Sequence, residues 1–205
     1  MERRIKKALE ALKKHNFQAE FFSDPKEAVR VILERIPTSA RVGIPGSKTI
    51  RQLGLDRALR ERGQTTYDHW QEGLSPQEIL EVRRAQLTCD VLLTSANAIT
   101  ERGEIYNVDG IGNRIAPMIF GAGRVMIVAG TNKIVSDLEQ ARERLRNIAA
   151  PKRASELGLD LPCTKTGKCT DCNSQLRICR AELVLYRPPS LTPIEVYLID
   201  QPLGN

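Results

Sequence analysis

Aromatic residues are scarce in this sequence and make up 4% of its 205 residues. Proteins that bind nucleic acid without sequence preference usually present aromatic side chains on which bases stack. The formal net charge is +6, but Lys and Arg alternate with Glu and Asp in stretches such as RERLR and EVRRAQ, as they do on solvated helix faces. The composition therefore predicts no nucleic-acid binding.

The chain also lacks a long apolar run at its start. The opening residues, MERRIKKALEALKKHNF, form an amphipathic helical pattern without an apolar centre or a small-residue cleavage site. A secretory signal needs both features, and a membrane span needs about 20 apolar residues. We therefore expect a cytoplasmic protein without membrane insertion, whose thiols stay reduced.

Histidine is equally rare, because only His15 and His69 occur. His15 ends a charged helical pattern and is expected at the surface. His69 stands in YDHW beside the single Trp, where packing explains it better than catalysis does. The sequence therefore gives no support to a Ser or Cys nucleophile activated by a positioned His.

Apolar runs of strand length alternate with helical patterns along the chain. ARVGIP, CDVLLTS and GRVMIVAG have almost no polar face, as expected of parallel strands that helices cover on both sides. FQAEFF, ELVLYR and IEVYLID are three further predicted strands. These patterns predict an α/β fold with a mainly parallel sheet. We expect one domain over residues 1–205, in which residues 1–36 are a lead-in of helix and strand.

Helix starts carry recognisable capping patterns. Asp24 before Pro25, and Ser75 before Pro76, suit the N-cap and N1 positions of two helices. The segment TIRQLGLDRALRERG has helical apolar spacing and is predicted as one helix that ends at Gly63.

Most of the cysteines lie in one polar segment, PCTKTGKCTDCNSQLRIC. They are Cys163, Cys169, Cys172 and Cys179. Thiols this close in a reduced protein favour ligands of one metal centre over disulfide partners. One close pair flanked by two distant thiols fits a [4Fe–4S] cluster better than the two close pairs of structural zinc. Zinc is the alternative, followed by free or disulfide-bonded thiols, and residues 160–180 are expected to be an inserted metal-binding loop.

The first candidate binding segment outside this loop is GIPGSKT, residues 43–49. Free N–H groups at a helix start, together with the Gly46 turn and the hydroxyls of Ser47 and Thr49, suit a phosphate or carboxylate ligand. The segment is not a Walker A loop, since the second Gly directly before Lys is missing. A plain strand-to-helix turn is the alternative interpretation.

Two further segments follow predicted strands. TSANAITERGEIYNVDGIGNRIAPMIFG is rich in amides and glycines and is predicted as a loop at the carboxyl edge of the sheet, where open α/β folds bind ligands. Its GIGNRI lacks the third small residue of a dinucleotide fingerprint. Lys133 in AGTNKIV follows another strand, so it either points into the same crevice or is solvated.

Five stretches together resemble the lactate-utilization (LUD) domain family in its short stand-alone form with a cysteine motif. They are GIPGSKTIRQLG, TYDHWQEGLS, TSANAITERGEIYNVDGIGNRIAPMIFG, AGTNKIVSDLEQARERLRNIAAP and PCTKTGKCTDCNSQLRIC. The resemblance runs from about Phe17 to the final PLGN. It implies the Rossmann-like α/β sandwich that phosphosugar isomerases and coenzyme A transferases share. Members are associated with oxidation of L-lactate to pyruvate, often beside iron–sulfur partner proteins.

The resemblance implies a component of a redox system that oxidises L-lactate, or another 2-hydroxy acid, to the keto acid. An independent small-anion-binding enzyme of isomerase or transferase type and a structural zinc-binding subunit are the alternatives. No flavin or nicotinamide fingerprint is present, so any hydride acceptor is expected on another chain. Iron–sulfur partner subunits and a small carboxylate or phosphate ligand are the expected partners.

The resemblance implies a binding site but identifies no catalytic residue. The positions that match its most characteristic segment are Asn97, Asp109, Gly110, Gly112, Asn113 and Arg114. Arg114 is the natural partner for a substrate carboxylate, because a guanidinium can hold both oxygens. Asp109 is either a base or, more commonly for a carboxylate beside Asn and Gly, a turn anchor.

Overall fold

The computed structural model describes residues 2–205. Its helices are α1 (Arg3–Lys14), α2 (Pro25–Arg35), α3 (Lys48–Gln52), α4 (Leu55–Glu61), α5 (Pro76–Gln86), α6 (Ile115–Ile119), α7 (Leu138–Arg144), α8 (Ala150–Glu156) and α9 (Pro162–Thr166). Its strands are β1 (Gln18–Phe22), β2 (Val42–Ile44), β3 (Thr66–Asp68), β4 (Val91–Thr94), β5 (Ala98–Thr100), β6 (Ile105–Asp109), β7 (Arg124–Gly130), β8 (Ile134–Val135), β9 (Ala181–Leu185) and β10 (Ile194–Ile199). A 3₁₀ turn (Thr131–Lys133) follows β7, and a π turn (Leu145–Ala149) joins α7 to α8.

The central sheet has six strands in the order β1-β10-β7-β4-β2-β3, and all of its pairings are parallel. Every residue of β2, β4 and β10 is buried. Strands of this kind need helices on both faces, since neither face can meet water. The predicted α/β class with a mainly parallel sheet is confirmed.

Neighbouring residues of one strand enter different cores, because side chains alternate across a sheet. Leu92 packs in a core that includes Ile5 and Leu12 of α1. Leu93 packs in a second core that includes Ile32 of α2 and residues of α4. The sheet is therefore covered by α1 on one face and by α2 and α4 on the other, as in a Rossmann-like layered fold.

A second sheet has the strand order β8-β5-β6-β9 and is mixed, with β5–β6 and β6–β9 antiparallel and β5–β8 parallel. The sequence had predicted a loop over residues 94–121, and this prediction is wrong, because β5, β6 and α6 lie within that range. The apolar runs there are short and separated by polar residues, so their strand character depends on pairing with β9, far along the chain. Tertiary pairing of this kind overrides local patterning.

The predicted helix TIRQLGLDRALRERG is two helices, α3 and α4, so that prediction is also wrong. Gly54 breaks it with a left-handed φ of +68°, which only glycine adopts readily. The predicted caps are confirmed. The Asp24 side chain accepts a hydrogen bond from Lys26 N, and Ser75 forms a capping box with Glu78. Among residues 2–205, no helix has the length and apolar composition needed to cross a membrane.

Candidate functional site

A cavity of about 290 Å³ lies beyond the carboxyl ends of β2, β4 and β7. The chain leaves β2 into the Pro45–Thr49 turn, leaves β4 at Ser95, and leaves β7 into the 3₁₀ turn that ends at Lys133, and all three turns line the cavity. Open α/β sheets bind ligands at this edge. The volume lies near the lower end of the range for small-molecule sites.

The structure brings together almost all of the residues that the sequence analysis selected outside the cysteine loop. Those that line the cavity are Gly46, Ser47, Thr49, Asn97, Asp109, Gly110, Asn113, Arg114 and Lys133. Gly112 does not line it and stands in open space with a φ of +98°. Gly112 therefore serves the turn before α6 rather than the cavity wall.

Lys133 is buried in the cavity wall and is 4% exposed. Its ammonium donates to Ser95 Oγ at 2.8 Å and to Thr49 Oγ1 at 3.1 Å. Among the described residues, no carboxylate lies within ion-pair distance of its Nζ. Burial, followed by the charges of Arg144 and Arg114, lowers the pKa of Lys133 to about 7. The amine is therefore partly neutral at physiological pH, which is unusual for lysine.

Arg114 also lines the cavity, with a side chain that is 15% exposed, and its Nη2 donates to Asn97 Oδ1 at 3.0 Å and to the Val108 carbonyl at 2.6 Å. Its Nε is buried without a hydrogen-bond partner among the described residues and lies 3.6 Å from Asp109 Oδ1. Burial lowers the pKa of Arg114. A buried guanidinium with an unused donor is a group that an anionic ligand can complete.

Asp109 lies at the end of β6 and anchors the turn into α6. Its Oδ2 accepts hydrogen bonds from the backbone N–H of Arg114 at 3.0 Å and of Ile115 at 3.3 Å. Asn97 Oδ1 accepts from the Val108 N–H at 2.9 Å and so ties β5 to β6. Of the two roles considered for Asp109, the geometry therefore favours the turn anchor over the base.

The turn before α3 contributes side chains rather than a helix dipole. α3 has only five residues, and Ser47 caps it by accepting from Ile50 N at 3.4 Å. The predicted attraction of an anion by a helix start is therefore weak here, because so short a helix aligns few peptide dipoles. Thr49 reaches the cavity and holds Lys133, and Lys48 pairs with Glu156 at 2.5 Å.

Sequence reasoning missed Arg144, which is 9% exposed in α7. Its Nη1 donates to the Asn97 carbonyl at 2.8 Å and its Nε to the Asn132 carbonyl at 3.3 Å. The charged pattern RERLR was interpreted as a solvated face. The position of Arg144 on the helix indicates its burial, because Arg144 follows the buried Ala141 by three residues and so lies on the same apolar face.

The YDHW segment also lines the cavity. Trp70 covers the Gly46 turn, because a Cβ on Gly46 would lie 2.9 Å from its ring, and the guanidinium of Arg153 stacks on the indole at 4.6 Å. Burial, followed by the charge of Arg83, lowers the pKa of His69 to about 4. His69 is therefore neutral at physiological pH, and its Nδ1 lies 3.1 Å from Gln86 Nε2.

The cysteine segment lies against the same cavity. Ile178 and Cys179 are part of the cavity wall, and a Cβ on Gly110 would meet the Ile178 carbonyl at 3.0 Å. All four cysteines of this segment are free thiols of intermediate burial. Burial raises the pKa of Cys163, and the charges of Cys172, Cys179 and Cys169 raise it further. Cys163 is therefore near enough to the other three thiols to be influenced by their charge.

Four free thiols are a suitable donor set for zinc or a [4Fe–4S] cluster by number and type. Among residues 2–205, however, no three His, Cys, Asp or Glu side chains are arranged to hold a metal ion. The lone Cys89 lies apart in the core, where burial raises the pKa of its thiol to about 11.

The sequence pattern of the LUD domain matches residues 5–199, nearly the whole chain. The chain belongs to the LUD domain family. This membership supports a lactate-utilization-type protein in general terms. It confirms the resemblance drawn from the sequence motifs, and the cavity is formed mainly by those motifs.

The fold is shared with a solved structure of low sequence identity. A crystal structure of a DUF162 family protein from Deinococcus radiodurans has a TM-score of 0.54, at 14% identity over 96% of both chains. At this identity the likeness shows the fold alone. None of the curated proteins matches the sequence.

Proposed function

We propose that the cavity binds a small carboxylate of the 2-hydroxy or 2-keto acid class, and that the protein is a component of a redox system that oxidises L-lactate or a related acid. The observation that carries this proposal is the charge of the cavity wall. Among the described residues, five basic side chains line the cavity, whereas Asp109 is the one acidic side chain in its wall. The basic residues are Lys48, Arg83, Arg114, Lys133 and Arg153.

The buried members of this set explain why the cavity selects an anion. Among residues 2–205, the hydrogen-bond partners of the Lys133 amine are two hydroxyls, and the Arg114 Nε has no hydrogen-bond partner, with Asp109 Oδ1 at 3.6 Å. A buried cation without a full counter-charge is costly, and an incoming carboxylate offsets that cost. The unused donors of Arg114 suit the carboxylate, and Ser95 and Thr49 offer hydroxyls to a neighbouring oxygen of a 2-hydroxy or 2-keto acid.

We further propose that Cys163, Cys169, Cys172 and Cys179 hold a [4Fe–4S] cluster, with zinc as the alternative. The placement of Cys179 in the cavity wall supports a redox role, since electrons move efficiently only over short distances and this loop lies beside the ligand site. When bound, such a cluster supplies one-electron transfer, whereas zinc would chiefly stabilise the loop.

An independent enzyme of isomerase or transferase type is the second candidate. The observation that favours it is Lys133, a buried amine with a pKa near 7 that can move a proton without any partner chain. In that case the cavity would carry out chemistry on its own, and the cysteine loop would be structural.

Calorimetric titration of the purified protein with L-lactate, pyruvate and inorganic phosphate tests the ligand class. We expect both carboxylates to bind at the cavity and to compete with each other. Binding of phosphate alone would instead favour the isomerase or transferase candidate. Absence of binding for all three anions would contradict the assignment of the cavity as an anion site.

Metal analysis of protein purified without oxygen tests the cysteine assignment. We expect iron with acid-labile sulfide for the cluster, or about one zinc per chain for the alternative. Cys169→Ser and Cys172→Ser should lose the metal while keeping the α/β body folded, and Cys89→Ala is the matched control that should retain it. Anaerobic protein without either metal would contradict the assignment.

A further inference from the structure

The amine of Lys133 is placed for chemistry that anion binding does not require. It lines the cavity, is 4% exposed, and is held from two sides by Ser95 Oγ at 2.8 Å and Thr49 Oγ1 at 3.1 Å. Two hydroxyls can either accept hydrogen bonds from an amine or donate one to its lone pair. The site therefore accommodates a neutral amine as well as an ammonium.

The segment that contains Leu203 and Gly204 packs over this amine. A Cβ on Gly204 would lie 2.6 Å from Thr49 Oγ1 and 3.0 Å from Lys133 Nζ, so Gly204 packs directly on the pair. The Gly204 N–H donates to Gln52 Oε1 at 2.7 Å, and the Leu203 N–H to Asn132 Oδ1 at 3.0 Å. The amine is thereby shielded from solvent on one side, and its free approach is from the cavity.

The charged groups around Lys133 favour its neutral form. The charges of Arg144 in α7 and of Arg114 in the turn before α6 both lower its pKa. Among the described residues, Asp109 is the one acidic side chain of the cavity wall, and it lies beside Arg114 and accepts hydrogen bonds in the turn into α6. A desolvated lysine beside other cations is the usual arrangement of a nucleophilic amine.

We propose that Lys133 condenses reversibly with the carbonyl carbon of a small 2-keto acid held in the cavity, forming an imine. This inference rests on the proposed function, because it takes the keto acid as the cavity's ligand. Arg114 holds the carboxylate of that acid, which leaves the adjacent carbonyl carbon directed at the wall that carries Lys133. The hydroxyls of Ser95 and Thr49 assist the proton transfers.

The step balances without an added oxidant or reductant. The lone pair of Nζ attacks the carbonyl carbon, and the carbonyl electron pair moves to oxygen, which takes up a proton. The nitrogen loses a proton to give a neutral carbinolamine. The nitrogen lone pair then forms the C=N bond while the hydroxyl takes up a proton and departs as water, and the resulting iminium loses its N–H proton to give the neutral imine. Addition of water reverses the sequence and releases the acid and the amine.

Reductive trapping tests the inference on the unmodified protein. The protein, purified with its metal, is incubated with pyruvate and sodium cyanoborohydride at pH 7, and the modified lysines are found by peptide mass mapping. We expect a reduced pyruvyl group on Lys133, at least about ten-fold above Lys48. Lys48 is the internal control, because it lines the same cavity but pairs with Glu156 at 2.5 Å.

Two variants and a binding measurement distinguish failure of the imine proposal from failure of the proposed ligand binding. Lys133→Arg should abolish trapping and Lys26→Arg, at an exposed lysine outside the cavity, should leave it unchanged, with pyruvate affinity measured by calorimetry for each. Pyruvate binding without an adduct on Lys133 would overturn the imine and leave the proposed function standing. Loss of both binding and adduct in the unmodified protein would overturn both, and labelling spread evenly over surface lysines would overturn the imine.

Discussion

The carbonyl oxygen of Ile178 lies 3.0 Å from the position that a Cβ atom would take on Gly110. The cysteine segment therefore packs directly on the turn that carries Asp109 and Arg114. This contact, with Cys179 in the cavity wall, places the loop beside the candidate ligand site rather than at a remote surface. A substitution in the turn is therefore expected to affect the cysteine loop, and a substitution in the loop is expected to affect the ligand site.

Substitution of Gly110 by Ala is the most direct test of this contact. The methyl group would need Ile178 to move by a few tenths of an ångström, and we expect the four thiols of the loop to bind metal more weakly. Gly123→Ala is the control, because its methyl group would meet the Asp90 carbonyl at 2.7 Å, away from the cysteine segment. Metal content and thiol-labelling rates should change for Gly110→Ala and not for Gly123→Ala. An equal effect of both would indicate a general loss of stability instead of loop contact.

Replacement of Arg114 tests the carboxylate partner. Arg114→Ala should weaken pyruvate binding by roughly 1.5 to 3 kcal/mol, the range for a charge-assisted hydrogen bond. The same variant should also lose on the order of 1 to 3 kcal/mol in the free energy of unfolding, because the Val108 carbonyl would lose the Arg114 donor. Calorimetry and urea unfolding measure the two effects. Arg57→Ala, a surface arginine, should change neither, and unchanged affinity in Arg114→Ala would contradict the assignment.

The central sheet was predictable from the sequence because its strands are buried on both faces. VLLT and RVMIVAG carry almost nothing polar, and such runs have few alternatives to a central parallel strand. The second sheet was not predictable in the same way. β6 pairs with β9 across more than 70 residues, and nothing local in either strand specifies that partner.

The candidate site was predictable where residues follow strand ends, as Ser47 and Lys133 do. Arg144 and Arg153 come from helices and Cys179 from the cysteine segment, so the strand ends alone do not specify their positions. A buried arginine is hard to recognise from the sequence, because a single charged residue among the apolar positions of a helix does not by itself indicate burial. The depressed pKa of Lys133 depends on burial and on Arg144, neither of which the sequence displays.

Asp68 supports the turn that holds Trp70 over the cavity. It is buried, accepts from Arg51 at 2.5 Å, and its Oδ1 accepts from the Trp70 N–H at 3.1 Å. Asp68→Asn removes one of the two carboxylates that Arg51 and Arg60 share, Asp56 being the other, so we expect a loss of about 2 kcal/mol in the free energy of unfolding and weaker pyruvate binding. Asp90→Asn, at an exposed pair with Arg41, should cost about 1 kcal/mol and leave binding unchanged. Equal losses for the two variants would contradict the role of Asp68.

The pH dependence of stability tests the state of Lys133. Its pKa is about 7 in the folded protein, against about 10.4 in an unfolded chain, so the unfolded state binds the extra proton between these values. Stability therefore rises with pH over this window, and the contribution is lost as pH falls towards 7. Between pH 7 and pH 10, the free energy of unfolding of the natural protein should rise relative to Lys133→Met by on the order of 3 kcal/mol.

Urea unfolding of both proteins at intervals of one pH unit measures this difference. Other groups that titrate in the window, chiefly cysteines and tyrosines, are common to both proteins and cancel in the comparison. Lys48→Met is the control for removing a lysine that has a carboxylate partner, and it should show no such rise. If the difference in the free energy of unfolding between the natural protein and Lys133→Met does not change with pH, Lys133 keeps its proton throughout this pH range. Its two hydroxyl partners would then stabilise an ammonium, and Lys133 would act only as a fixed charge for the anion.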